Sequence, residues 1–130
     1  MSDVLCLRPE ADFARVDALP PSSIRVAYRA PDAADVAQLI RAAKALVIPA
    51  VGPKLAPTLF ESTSLELVQV TGAGLDRLDK DALIEAGIPV CNVRGGSNGA
   101  VAEYALANAS ALLRLFAWAD AEIKHLRQAV

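Results

Sequence analysis

Five short apolar runs punctuate this chain: Val4-Leu5-Cys6-Leu7, Ile24-Arg25-Val26-Ala27-Tyr28, Ala45-Leu46-Val47-Ile48, Leu67-Val68-Gln69-Val70 and Pro89-Val90-Cys91-Asn92. None alternates strictly between apolar and polar residues, the pattern expected of parallel strands buried on both faces. Helical stretches separate them: a weak one from Glu10 to Leu19, a clear one from Asp32 to Lys44, a short one from Pro53 to Phe60 and a clear one from Lys80 to Ala86. Asp32 is placed to cap the second, whose Val36, Leu39, Ile40 and Ala43 form an apolar face, and Gly87 stands where a left-handed stop would end the fourth. Parallel neighbours need crossover connections, and helices supply them. The alternation therefore predicts an α/β fold built on a doubly wound, parallel, five-stranded sheet.

The last segment has another rhythm. From Val101 the positions Ala105, Ala109, Leu112, Phe116, Ala119, Ile123, Leu126 and Val130 recur at intervals of four or three, which predicts one unbroken helix of about eight turns. Leu106, Leu113 and Leu115 widen its apolar surface, whereas Asp120, Glu122, Lys124, His125, Arg127 and Gln128 crowd in past Trp118. The first half is expected in a core and the second half is expected to project. The organisation predicted is an α/β domain over residues 1–100 followed by a long helix over 101–130.

A chain of 130 residues holds one ordinary domain with a hydrophobic core. Its hydrophobic fraction of 54% is high; alanine-rich helices explain part of that, and surface meant for a partner domain would explain more. A formal net charge of −2 offers no field to attract nucleic acid or an anionic membrane. Glu103, Asn108, Ser110 and Arg114 interrupt the longest apolar stretch, so no membrane span is expected. Met1-Ser2-Asp3 begins nothing like a signal peptide, and a cytoplasmic location follows as an expectation. Cys6 and Cys91 lie in strand-like runs without metal-ligand spacing and are expected to be reduced, buried thiols.

Thr71-Gly72-Ala73-Gly74-Leu75-Asp76 does not make a dinucleotide fingerprint. That motif needs a third glycine to let helix and strand pack closely, and Arg77 stands there instead. Glycines directly after a buried parallel strand do something else: they expose backbone amides at the carboxyl edge of the sheet, where a small carboxylate can sit. Asp76 and Asp79 read as groups at a helix start, flanked by Arg77 and Lys80, rather than as an acid–base pair. Ser97 or Asn98 is expected to cap the last helix. Glu103 suits the positive end of that helix, and His125 reads as a solvated surface residue.

Three elements between Leu67 and Arg114 carry a resemblance: the loop Gly72-Ala73-Gly74-Leu75-Asp76-Arg77-Leu78-Asp79, the strand Gly87-Ile88-Pro89-Val90-Cys91-Asn92, and Val101-Ala102-Glu103 at a helix start. Together they resemble the central block of the NAD-dependent D-2-hydroxyacid dehydrogenases. The resemblance implies that the main chain of Gly72, Ala73, Gly74 and Leu75 faces the substrate carboxylate, with Val51 and Gly52 in a second substrate-facing loop. It also implies that Ala73 and Val101 approach the nicotinamide end of NAD or NADP, and that Glu103 lies close to the cleft. Many relatives carry hydroxyl side chains near the second loop. Pro49-Ala50-Val51-Gly52 offers only backbone donors, which disfavours a phosphorylated substrate. An Asn often stands four residues before the Val of Val-Ala-Glu; here Ser97 does, which puts a substrate hydrogen bond from Asn98 in doubt.

The resemblance further implies a flavodoxin-like substrate domain whose long helix leads to an absent C-terminal NAD-binding domain holding the catalytic Arg, Glu and His. The complete enzyme would reduce 2-keto acids to D-2-hydroxy acids; this chain alone is expected to be inactive, to hold no metal, and to dimerise through its long helix. The competing reading is a stand-alone flavodoxin-like binding or dimerisation module. A receiver domain is disfavoured because Arg8-Pro9, not an acidic pair, follows the first strand, and a flavin-binding loop is missing there too.

Overall fold

The computed structural model describes residues 2–128, and its contacts divide between Arg94 and Gly95 into a sheet unit and a helical unit. In the sheet unit the order is β1 (Val4–Cys6), α1 (Glu10–Ala14), β2 (Val26–Tyr28), α2 (Val36–Ala42), β3 (Ala45–Ile48), a 3-10 turn (Pro57–Phe60), β4 (Leu67–Val70), α3 (Lys80–Glu85) and β5 (Val90–Cys91). The five strands are all parallel, in the order β2-β1-β3-β4-β5. The predicted α/β doubly wound sheet is thus present, with β3 and β4 ending where their apolar runs end.

Register builds the core. Leu5 stands opposite Leu46, Leu46 opposite Val68, and Val68 opposite Val90. Side chains alternate across a strand, so Leu5, Leu7, Leu46, Ile48, Val68 and Val70 share one face, all buried, with Ile40, Phe60 and Leu83 from the covering elements in the same apolar cluster. Each such burial contributes about 2 kcal/mol relative to exposure. The other face carries Val4, Val26, Tyr28, Val47, Leu67 and Gln69, all half-buried, together with the buried Cys6. The expectation of strands buried equally on both faces is corrected: β3 and β4 alternate between half-buried and buried positions.

Helix ends differ from the sequence reading for local reasons. Asp32 caps nothing; α2 begins at Val36, and its N-cap residue Asp35 pairs with Arg29 Nε at 2.9 Å instead of bonding the helix amides. The segment after Ala14 turns away through Asp17, whose φ of 52° cannot continue a helix. Only Pro57–Phe60 of the stretch from Pro53 is helical, with Pro57 presetting φ for the first turn. Asp79 caps α3 by accepting a hydrogen bond from the Ala82 amide at 3.2 Å, and Gly87 ends it with φ 67°.

The helical unit holds α4 (Asn98–Leu113) and α5 (Phe116–Gln128), and neither contains a buried residue. The predicted unbroken helix from Val101 is corrected: Leu115 adopts φ 53°, and its amide bonds the Leu112 carbonyl, three residues back, so the α-helical ladder stops there. The expected core packing of its first half is corrected as well. Val130, the last position of the predicted stripe, lies outside the described residues. Ser97 occupies the N-cap of α4 without a side-chain bond. Among the described residues no helix is long and apolar enough to cross a membrane.

Candidate functional site

Parallel strands deliver their C-terminal loops to one edge of the sheet. Arg8-Pro9 follows β1, Pro49-Ala50-Val51-Gly52-Pro53 follows β3, and Thr71 to Leu78 follows β4. The order β2-β1-β3 reverses the winding between β1 and β3, and at such a point adjacent loops part to leave a crevice. A cleft of about 330 Å³ lies there, lined among others by Leu7, Arg8, Pro49, Ala50, Val51 and Thr71. A larger cavity of about 470 Å³ opens beside the 3-10 turn and α3, between Phe60, Leu65, Ala82 and Ile88. Leu65 and Ile88 precede β4 and β5, so that cavity sits at the opposite edge, away from the loops that carry the candidate residues.

The two substrate-facing loops predicted from the sequence come together. Gly72 lies against Ala50, and a Cβ built on Gly72 would stand 2.7 Å from the Ala50 Cβ. The carbonyls of Gly72 and Ala73 are turned toward the strand that follows: Val93 donates its amide to the first at 3.1 Å, and Asn92 Nδ2 donates to the second at 2.7 Å. Among the described residues, the amides of Ala50, Val51, Gly52, Gly72, Ala73, Gly74 and Leu75 donate no loop hydrogen bond. Val51, Gly52 and Ala73 are exposed, and Gly72, Gly74 and Leu75 half-buried. Free amides converging at a sheet edge form a concavity suited to an anion. Val101 is placed in the first turn of α4, in the helical unit.

Charged residues frame this edge. Arg8 donates to Thr71 Oγ1 at 3.0 Å and, through Nε and Nη2, to Asp12 Oδ2 at 3.2 and 2.8 Å, tying the β1 loop to the β4 loop and to α1. Asp79 accepts from the Ala82 amide and from Lys54 Nζ at 3.1 Å; the amide bond, and then the ammonium, hold its carboxyl below the ordinary value. It is a cap, as its spacing suggested, and not half of an acid–base pair. Asp76 folds back over Gly74 and is exposed. Glu103 and His125 are exposed on α4 and α5. Among the described residues no group of His, Cys, Asp or Glu could hold a metal ion.

Arg77 is the residue that sequence reasoning missed. It retains only 3% exposure, and its Nε and Nη1 each donate at 2.9 Å, to the carbonyls of Pro53 and Pro49. Burial pulls its pKa down from the ordinary arginine value. With Arg77 standing where a fingerprint needs its third glycine, the close helix-to-strand packing of a dinucleotide-binding loop is not available here, so these residues do not fit the cofactor's phosphates. The two Leu residues around it, Leu75 and Leu78, are the only local hint that the side chain turns inward.

The family model describing the D-isomer specific 2-hydroxyacid dehydrogenase catalytic domain matches residues 9–128. No curated protein sequence matches the chain. Among solved structures, the 2-hydroxyacid dehydrogenase of Ketogulonicigenium vulgare Y25 is 26% identical, with a TM-score of 0.67 over 93% of this chain and 40% of that one. The NAD-dependent formate dehydrogenase of Staphylococcus aureus, in complex with NAD, is 20% identical, with a TM-score of 0.69 over 87% of this chain and 39% of that one. The pyruvate reductase of Chlamydomonas reinhardtii is 23% identical, with a TM-score of 0.62 over 84% of this chain and 33% of that one. The last two likenesses, below 25% identity, speak for the fold. In each case the chain spans 33% to 40% of the length of the protein it matches.

Proposed function

Because the chain belongs to the D-isomer-specific 2-hydroxyacid dehydrogenase family, we propose that it is the substrate domain of an oxidoreductase that passes hydride between NAD(P)H and a 2-keto acid, giving the D-2-hydroxy acid. The observation that carries this reading is the set of undonated amides on Ala50 to Gly52 and Gly72 to Leu75, gathered at the carboxyl edge of the sheet. They would hold the substrate carboxylate, with Val51, Gly52, Gly72, Ala73, Gly74 and Leu75 as its contacts. Ala73 and Val101 would face the nicotinamide end of the cofactor and no more.

Reduction of a keto group needs a bound nicotinamide, which supplies the hydride, and an acid that protonates the carbonyl oxygen. We infer that both come from a second, NAD(P)-binding domain, and that this chain alone binds and orients substrate without turning it over. The backbone amides would fix the carboxylate, and the apolar lining of Pro49 and Val51 would keep water from the carbonyl carbon. The lack of side-chain donors on Pro49 to Gly52 favours an unphosphorylated substrate.

The experiment is NADH and NADPH oxidation against pyruvate, glyoxylate, hydroxypyruvate and 2-ketoglutarate. It is run with the 130 residues alone and with those residues joined to a family NAD-binding domain. Turnover by the joined protein and none by the 130 residues is expected. A folded joined protein that turns over none of them would favour the binding-module reading.

A further inference from the structure

We propose that Arg77 is the positioning residue of this site: it fixes the Ala50-Val51-Gly52 loop from beneath and gives that loop its preference for a doubly charged 2-oxo acid or an equivalent dianion. The proposal rests on the substrate-domain reading and deepens it.

Three bonds tie Arg77 to the loop after β3. Nη1 donates to the Pro49 carbonyl at its start, Nε donates to the Pro53 carbonyl at its end, and the Arg77 carbonyl accepts the Leu55 amide at 2.8 Å just beyond. Gly52 lies over the guanidinium: a Cβ there would stand 3.0 Å from Cζ and 3.1 Å from Nε, and its φ of 131° is open to glycine. The planar fork thus sets the separation of the loop's two ends, which a single-point donor could not do. With Pro49 and Pro53 at those ends, the carbonyls it captures belong to residues whose φ is already fixed. Loop conformation is decided by one side chain.

The charge asks for a further explanation. Nη2 is buried and has no hydrogen-bond partner, and among the described residues no carboxylate pairs with this guanidinium. Burying a cation without a counter-ion is costly, and a buried donor without an acceptor adds to the cost. A staple could be made from neutral donors at a lower cost. Arginine remains protonated even when burial lowers its pKa, so a whole positive charge sits beside a loop whose own amides donate no hydrogen bond. Those amides bring partial positive charge only; the guanidinium below them supplies the long-range attraction that an anion with two charges would feel more strongly than one with one.

The test uses oxalate, a dianion with the shape of a small 2-keto acid, and oxamate, its singly charged amide. Binding is followed by the amide NMR shifts of Gly52 and Gly72 to Leu75 in the wild type, Arg77→Gln and Arg77→Lys. The expected result is an oxalate affinity about tenfold or more weaker in Arg77→Gln. The loss should be smaller for oxamate; Arg77→Lys, which keeps the charge but lacks the planar fork, should recover the preference for oxalate over oxamate, with Gly52 amide exchange faster than wild type in both variants. Equal losses for both anions, with no recovery by Lys, would overturn the charge role and leave a plain structural staple. Unchanged affinity and exchange in a folded Arg77→Gln would overturn the proposal while the substrate reading stood. Failure of oxalate to shift these amides in the wild type would overturn both. If Arg77→Gln does not fold, Gly52→Ala, which pushes a methyl group against an intact guanidinium, is expected to weaken oxalate in the same way, and wild-type affinity there would overturn the proposal.

Discussion

Gly72 and Ala50 meet at the carboxyl edge of the sheet so closely that a methyl group on Gly72 would stand 2.7 Å from the Ala50 Cβ. No ordinary carbon contact is that short, so the absence of a side chain at 72 is what lets the β3 and β4 loops face one another. Gly72→Ala is expected to destabilise the fold by about 1–3 kcal/mol, the usual consequence of overfilling a packed site. Adding Ala50→Gly should return much of the loss, because it removes the other half of the clash. Urea denaturation of the two single variants and the double decides it, and a Gly72→Ala variant as stable as the wild type would show that the loops can separate freely.

Asp79 makes acid sensitivity predictable in sign. Its carboxyl is held below the ordinary value of 3.8 first by the Ala82 amide and then by Lys54. A depressed folded-state pKa contributes stability that is complete above the unfolded value and disappears as pH falls through the lower folded value. The gap in urea midpoint between wild type and Asp79→Ala should therefore be constant near neutrality and close in acid, below about pH 4. Lys54→Met should open a smaller gap than Asp79→Ala. A difference that persists undiminished at pH 2 would mean that packing, not the charged cap, is what the substitution removes.

How much of this was written in the sequence depends on the range over which each feature acts. Strands β3 and β4 were legible to the residue because a run of buried aliphatics needs no partner to be recognised. The Asp79 cap was legible because it acts within one helical turn. Arg77 was not: its bonding partners, Pro49 and Pro53, lie 28 and 24 residues away, and a charged residue between two acidic ones looks like surface. The α2 start was misplaced because Arg29 engages Asp35, a competition between two side chains that helix spacing does not record. The candidate site loops were singled out through glycine and a family likeness, not through any side chain that performs chemistry.

The two thiols should behave differently, although their sequence settings look alike. Cys6 lies inside β1 at 2% exposure, and burial raises its pKa, whereas Cys91 is exposed on the edge strand β5, contrary to the expectation of two core thiols. The thiolate is the reactive form, so a buried thiol with a raised pKa is slow on both counts. Native protein at pH 8 should release one equivalent of thionitrobenzoate promptly from Ellman's reagent, and a second only in denaturant. Cys91→Ser should abolish the prompt phase. Two prompt equivalents would mean that β1 opens readily although it is paired on both sides.

Leu115 carries a local backbone cost that substitution can change. Its φ of 53° interrupts a segment whose apolar spacing would otherwise run on, and the residue is 61% exposed, so tertiary burial does little to hold it there. An L-residue with a side chain costs about 1–2 kcal/mol in the left-handed region, and glycine avoids most of that. In a helical unit with the break between α4 and α5, Leu115→Gly should stabilise the bend by about 1 kcal/mol, with α4 and α5 keeping their separate limits in Cα chemical shifts. Leu115→Val should do the reverse, since a β-branched side chain tolerates positive φ worse, and should shift residues 112–117 toward continuous helix. If Leu115→Gly loosens the segment instead, the chain prefers the unbroken helix that its apolar spacing suggests, and the turn at Leu115 is only a minor form.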